Sequence, residues 1–170
     1  MNKEVKQRMV LFNVKDTVTV VTGASRGIGR SVALGFAEAG SKVVICSRTT
    51  SDLEELKSEI EEKGGIAHMV PCDVTTPYDI DNVVNETLKE FGRIDTLINN
   101  AGITKKYDAE NFPLEDWQQI MEINLTGVFL FAQKIGKVML EQGSGSIINI
   151  SSIASQQALK KSIAYTASKG

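Results

Sequence analysis

Tyr165 and Lys169 stand four residues apart in Tyr165-Thr166-Ala167-Ser168-Lys169. Residues at this spacing share one face of a helix, which brings the lysine ammonium near the phenol. An unperturbed tyrosine titrates at about 10 and is a poor base at neutral pH. A neighbouring cation favours the phenolate and lowers that value. Such a pair can give a proton to a carbonyl oxygen during reduction, or take one from an alcohol during oxidation. A surface pair on a helix has the same spelling, so the tyrosine needs partners. Tyr78 and Tyr107 have no lysine four residues on, which leaves Tyr165 as the candidate of this form. Ser152 lies thirteen residues before Tyr165, in Asn149-Ile150-Ser151-Ser152. A hydroxyl there can bond a substrate oxygen and stabilise a developing alkoxide. Ser151 offers the same chemistry, and the alternation at a strand end does not choose between them. Asn124 sits among apolar residues in Glu122-Ile123-Asn124-Leu125. Asparagine is a mediocre helix former, so its place predicts a specific hydrogen bond, either through a water to Lys169 or as a buried structural amide.

Another stretch carries binding rather than proton chemistry. Thr22-Gly23-Ala24-Ser25-Arg26-Gly27-Ile28-Gly29 lies between a β-branched segment, Thr17-Val18-Thr19-Val20-Val21, and a helical pattern, Val32, Ala33, Leu34, Phe36, Ala37. Strand, glycine turn and helix N-terminus in series make a seat for a pyrophosphate, because free N–H groups and the helix dipole both favour negative charge there. Gly23 is expected to supply the tight turn, Gly27 the close approach and Gly29 the packing of helix on strand. Ser25, Arg26 and Ile28 complete the turn that faces the ligand. The next strand ends in Ser47-Arg48, where a dinucleotide fold places an acid on the adenosine ribose. Here the acid is missing, and an arginine fork suits a 2′-phosphate. Arg26 can approach from the other side. The expected cofactor is NADP(H) in preference to NAD(H); solvated arginines are the alternative. Asp73, followed by Val74 after the third strand, either accepts from an adenine amino group or caps its own turn. Asn99-Asn100-Ala101-Gly102 follows the fourth strand. Its small residues and amides allow Asn100, Ala101 and Gly102 to lie along a cofactor and tie the strand to its neighbours.

Composition narrows the partners. The chain has 170 residues, 42% of them apolar, and a net charge of −2. That suits one domain with a real core and argues against nucleic acid as the main partner. No unbroken apolar run approaches the roughly 20 residues of a membrane span, and the polar start, residues 1–8, is unlike a secretory signal. A cytoplasmic protein with no membrane partner is expected. Cys46 and Cys72 show no metal-ligand or redox spacing and read as buried free thiols. His68 is the only histidine, so no metal cluster is expected. Lys105 and Lys106 follow the asparagine loop and either meet a substrate carboxylate, as a sugar acid would offer, or are solvated.

The elements that must position these residues follow from periodicity. Residues 1–16 read as a polar lead-in with an apolar patch at 9–12, and 17–170 as one dinucleotide-binding domain. Strands are expected at 17–22, 42–46, 66–71, 95–98 and 146–150. Helices are expected at 28–39, from a capping box Ser51-Asp52-Leu53-Glu54 to Gly64-Gly65, from the end of a loop at 73–78 to Phe91, over 114–142, and from just before the tyrosine onward. The short strands are apolar nearly throughout, as when both faces are covered. Alternating strands and helices with right-handed crossovers predict a doubly wound parallel α/β sheet, a Rossmann fold, of strand order 3-2-1-4-5. The crevice then lies at the carboxyl ends of strands 1 and 4.

The glycine octet, Asp73, Asn-Asn-Ala-Gly, Asn124, Ser152 and Tyr165-x-x-x-Lys169, in that order, resemble the short-chain dehydrogenase/reductase family across nearly the whole chain. The resemblance implies an oxidoreductase that moves hydride between nicotinamide and a carbonyl or secondary alcohol. It implies Tyr165 as acid/base, Ser152 rather than Ser151 as oxygen partner, Lys169 as ribose and tyrosine partner, and Asn124 as proton-relay support. Ser47-Arg48 matches the NADP-preferring members, and the nearest likeness is to gluconate 5-dehydrogenases and 3-oxoacyl-[acyl-carrier-protein] reductases. Family members are usually homodimers or homotetramers. The family fold continues past Tyr-x-x-x-Lys with the rest of that helix, two further strands and a segment over the substrate. The alternative reading is therefore a nucleotide-binding fragment without catalysis.

Overall fold

The computed structural model describes residues 13–170; the apolar patch expected at 9–12 and most of the lead-in lie outside the described residues. Five strands form one parallel sheet: β1 (Val18–Thr22), β2 (Lys42–Ser47), β3 (Ile66–Pro71), β4 (Thr96–Asn99) and β5 (Ser146–Asn149). Their order is β3-β2-β1-β4-β5, as the crossover rule predicts. The helices between them are α1 (Gly27–Glu38), α2 (Thr50–Glu62), α3 (Pro77–Phe91), α4 (Leu114–Met121), α5 (Gly127–Gln142) and α6 (Ile163–Lys169).

Strand alternation builds two cores from one sheet. Val18, Val20, Val44, Cys46 and Leu97 face α3 and α5, where Ile80, Val83, Phe131 and Ile135 meet them. Val21, Val43, Ile45 and Ile98 face α1 and α2, where Ala33, Ala37, Leu53, Leu56 and Ile60 meet them. Both faces of the three central strands are thereby covered. β5 is an edge strand, exposed along its length.

Helix ends follow local chemistry with two corrections. Gly92 and Gly143 close α3 and α5 in the left-handed region (both φ +74°), which a side chain would resist. The capping box expected at Ser51 is not used. The first α2 bond runs from Leu53 N to Thr49 O (3.3 Å), so the helix starts one residue ahead of Ser51 and has no side-chain cap. α3 opens earlier than expected, with Pro77 in the first turn, where its missing N–H leaves no bond unmade.

The long helical region from Leu114 to Gln142 is continuous but not uniform. A π-helical segment, Glu122–Thr126, joins α4 to α5. By length and composition this region could cross a membrane. Instead Ile120, Phe131 and Ile135 are at most 1% exposed, packed into the protein core.

Gly35, inside α1, has ordinary helical backbone, and an added Cβ would meet nothing within 4 Å. Gly35→Ala is therefore expected to stabilise the fold by about 1 kcal/mol through helix propensity and a less flexible unfolded chain. A urea midpoint unchanged or lowered would contradict this.

Candidate active site

One open cavity of about 540 Å³ runs across the carboxyl ends of the strands. Its first wall is the β1–α1 corner, with Gly23, Ser25, Arg26, Gly27 and Ile28. Gly23 and Gly27 have φ of +64° and +58°, the left-handed conformation that only glycine adopts freely. Arg30 N makes the first helical bond, to Arg26 O (3.4 Å), so the amides ahead of it have no acceptor within the helix. Gly29 is buried behind the cavity rather than on its surface. A Cβ there would stand 2.4 Å from both Gly23 O and Asn100 Nδ2.

Asn100 is the tie between the two halves of the crevice. Its Nδ2 donates to Thr22 O (3.0 Å) and Gly23 O (3.1 Å). Thr22 Oγ1 accepts from Asn100 N (3.0 Å) and Ala101 N (3.1 Å). Thr22 thus holds the asparagine loop to the glycine turn, a role its place at a strand end does not advertise. Asn99 Nδ2 donates to Asn149 Oδ1 (3.0 Å), its register partner on β5. Asn100, Ala101 and Gly102 all line the cavity.

Ser47, Arg48, Asp73 and Val74 line the opposite end, beyond β2 and β3. Arg26 and Arg48 are exposed and form no ion pair among the described residues. Asp73 Oδ1 accepts from Thr75 N (3.0 Å) and Thr75 Oγ1 (2.8 Å), so the carboxylate caps its turn while remaining on the cavity wall. Asp52, in the first turn of α2, also lines this end. Sequence reasoning sought an acid only at the end of β2 and missed this one, which one helical turn brings round. Cys72 lines the cavity from below, nearly buried. Burial, then the nearby carboxylates of Asp79 and Asp73, push its thiol up to about 12. Burial also raises Cys46 well above the ordinary thiol range. Native protein at pH ~8 is expected to react with a disulfide reagent about a thousandfold more slowly at Cys72 than a free thiol does. Unfolded protein should release both thiols at once, and rapid labelling of the native state would refute the placement.

Tyr165 and Lys169, one turn apart on α6, line the far end of the same cavity. The Lys169 ammonium donates to Ile150 O (2.8 Å) at the end of β5, and burial lowers its pKa. Of the two candidate serines, Ser151 is on the cavity wall. Ser152 is not; its Oγ caps the 3-10 turn Ile153–Ser155 by accepting from Ala154 N (3.2 Å). Asn124 is 2% exposed. Its Oδ1 accepts from Ile103 N (2.8 Å), and its Nδ2 donates to Ile103 O (2.9 Å) and Ser168 Oγ (3.0 Å). The amide therefore clamps the loop after β4 to the tyrosine-bearing helix. Lys105 is not simply solvated. It pairs with Asp116 at 2.5 Å. Hydrogen bonds from Lys105 and then Tyr107 hold Asp116 below the usual carboxylate range.

A family model described as short chain dehydrogenase matches residues 17–170. The chain belongs to the short chain dehydrogenase family. Among relatives it is similar to a 3-oxoacyl-[acyl-carrier-protein] reductase of Synechocystis sp., 42% identical over 89% of this chain and 62% of that protein. It is also 42% identical to an NAD-dependent glycerol dehydrogenase of Listeria innocua, over 93% of this chain and 61% of that one. The solved structure of a short-chain type dehydrogenase/reductase from Mycobacterium marinum superposes with a TM-score of 0.91 at 36% identity, covering 95% of this chain and 66% of that one. The chain thus spans about three-fifths of the length of these two curated relatives.

Proposed function

We propose that the protein carrying this chain is an NADP(H)-dependent oxidoreductase that interconverts a carbonyl and a secondary alcohol. The observation that carries this reading is a single cavity that runs from Ser47, Arg48 and Asp73 past the glycine corner to Tyr165 and Lys169. Its fit to a dinucleotide is steric as well as polar. A Cβ on Gly23 would stand 2.8 Å from Ala101 Cα, so the corner is shaped by the absence of side chains. Arg26 and Arg48 are free of ion pairs among the described residues and available to a 2′-phosphate. The Synechocystis relative and the family membership support the reaction class; the glycerol dehydrogenase relative, NAD-dependent by name, and Asp52 on the cavity wall favour NAD(H) as the second reading.

A nicotinamide dinucleotide held by the glycine corner and the Ser47–Asp73 end would give the hydride in reduction and take it in oxidation. The chain's own groups handle the proton and the oxygen. The Tyr165 hydroxyl donates its proton to the substrate oxygen in reduction and recovers it in oxidation. The Lys169 ammonium favours the phenolate that remains. Ser152, thirteen residues before Tyr165 and adjacent to Ser151 on the cavity wall, steadies the substrate oxygen through its hydroxyl proton, which is free because its capping Oγ only accepts. Asn124 holds the helix that carries both groups. The substrate is a 3-oxoacyl thioester or a small keto sugar acid; the Lys105–Asp116 pair leaves only Lys106 for the charge argument that favoured the acid.

Following NADPH and NADH oxidation across 3-oxoacyl thioesters, keto sugar acids and small ketones tests the proposal. Turnover with at least one carbonyl and faster consumption of NADPH is expected. Cofactor binding without turnover on any of them would favour a nucleotide-binding protein, and faster use of NADH would overturn the cofactor assignment alone.

A further inference from the structure

Gly127 opens α5 immediately after the π-helical segment and is buried. Its φ is −60°, an ordinary helical value, so backbone conformation does not require glycine. Space does. A Cβ on Gly127 would lie 2.7 Å from Val74 O, 3.2 Å from Val74 Cγ2 and 3.3 Å from Val74 Cβ. The helix therefore presses its bare backbone against the back of the residue whose front lines the cavity beside Asp73.

The segment around Val74 has little room to retreat. Cys72 N donates to Ser47 O (2.9 Å), Thr76 N to Asp73 O (3.0 Å) and Asp73 N to Asp79 Oδ2 (2.8 Å). Thr75 is bonded twice to Asp73 Oδ1. With these ties on its flanks and the helix behind, the open direction for a displaced Val74 is the cavity.

We propose that Gly127 is a positioning residue for the adenosine end of the cofactor groove. Its missing side chain sets how deep the Val74 wall sits between the ends of β2 and β3. The proposal rests on the reading that a dinucleotide occupies this groove. Gly127 touches no part of the groove itself and acts only through Val74.

The test is binding of NADPH and, separately, of ADP to the wild-type protein, Gly127→Ala and Gly136→Ala. Gly136 lies on the same helix, and an added Cβ there would meet only Ile147 Cδ1, at 3.9 Å. It controls for any general effect of alanine in α5. Gly127→Ala is expected to weaken both ligands about tenfold, the effect of a modest overpacking shift delivered to the site. Gly136→Ala is expected to bind as wild type does. Should Gly127→Ala not fold, Val74→Gly/Gly127→Ala is compared with Val74→Gly, since the glycine loop relieves the side-chain clash while the carbonyl contact persists. Weaker binding by the double variant supports the role. Wild-type affinity in Gly127→Ala, or equal affinities in the second pair, would overturn this inference and leave the cofactor reading standing. Failure of the wild-type protein to bind either ligand would overturn both.

Discussion

Gly29→Ala is expected to abolish measurable NADPH binding and to destabilise the fold by roughly 3–5 kcal/mol, the range of overpacking plus lost buried hydrogen bonds. The new Cβ would stand 2.4 Å from Gly23 O and from Asn100 Nδ2, and 3.0 Å from Gly23 C. Two of these atoms are backbone and the third is a half-buried amide already donating to Thr22 O and Gly23 O. No flexible side chain is available to yield. The turn must move, and the ties that join the β1 corner to the loop after β4 break with it. Gly27→Ala provides the contrast. Its Cβ would meet nothing within 4 Å, but φ is +58°. Only the left-handed penalty of about 1–2 kcal/mol applies there. Urea denaturation and NADPH titration of both variants check the ranking. A Gly29→Ala protein with the wild-type midpoint would show that the corner is not packed as described.

Tyr165→Phe is expected to lower kcat for carbonyl reduction by about 10²–10⁴, the range for a lost general acid, with KM for NADPH little changed. Phenylalanine keeps the ring and removes only the hydroxyl, so the packing of a partly buried side chain survives. If turnover persists, the proton comes from elsewhere and the mechanism fails. Lys169 makes a companion case through pH. Desolvation lowers its pKa from 10.5 in the folded state. Between the folded value and 10.5 the unfolded chain then binds more protons than the folded one, so stability rises with pH across that window. Below the folded value the full cost of burying the ammonium is present. Lys169→Met is expected to remove this contribution, seen as a flatter dependence of the urea midpoint on pH just below 10.5.

Much of the fold was legible because its causes are local. Alternation of Val18, Val20 and Val21 assigns each side chain to one of two faces before any partner is known. The same logic on α3, with Ile80, Val83 and Val84 buried, places that helix against the sheet. Right-handed crossovers then leave one strand order and put the crevice where the order reverses. Glycine, tyrosine and lysine at their spacings announced the corner and one end of the groove for a similar reason: a turn that excludes side chains and a helical face repeat within a few residues.

Tertiary structure alone decided the features that depend on two segments meeting. Asp52 reaches the Ser47–Asp73 end of the cavity because one helical turn carries it there. Lys105 is matched by Asp116, whose position depends on how α4 returns toward the loop after β4. Ser151 faces the cavity while Ser152 caps a turn, a matter of backbone angles beyond a strand end. Asn124 bonds Ile103 and Ser168, neither of them close to it in sequence. Gly127 reads as an unfavourable helix residue until Val74 O is seen 2.7 Å from where its side chain would begin. Sequence alone determined the elements, their order and the location of the groove, because hydrogen-bond periodicity and side-chain alternation are properties of short stretches. The depth of the groove and the reach of the Asp52 carboxylate into it were set only on folding, because close approach is a property of pairs.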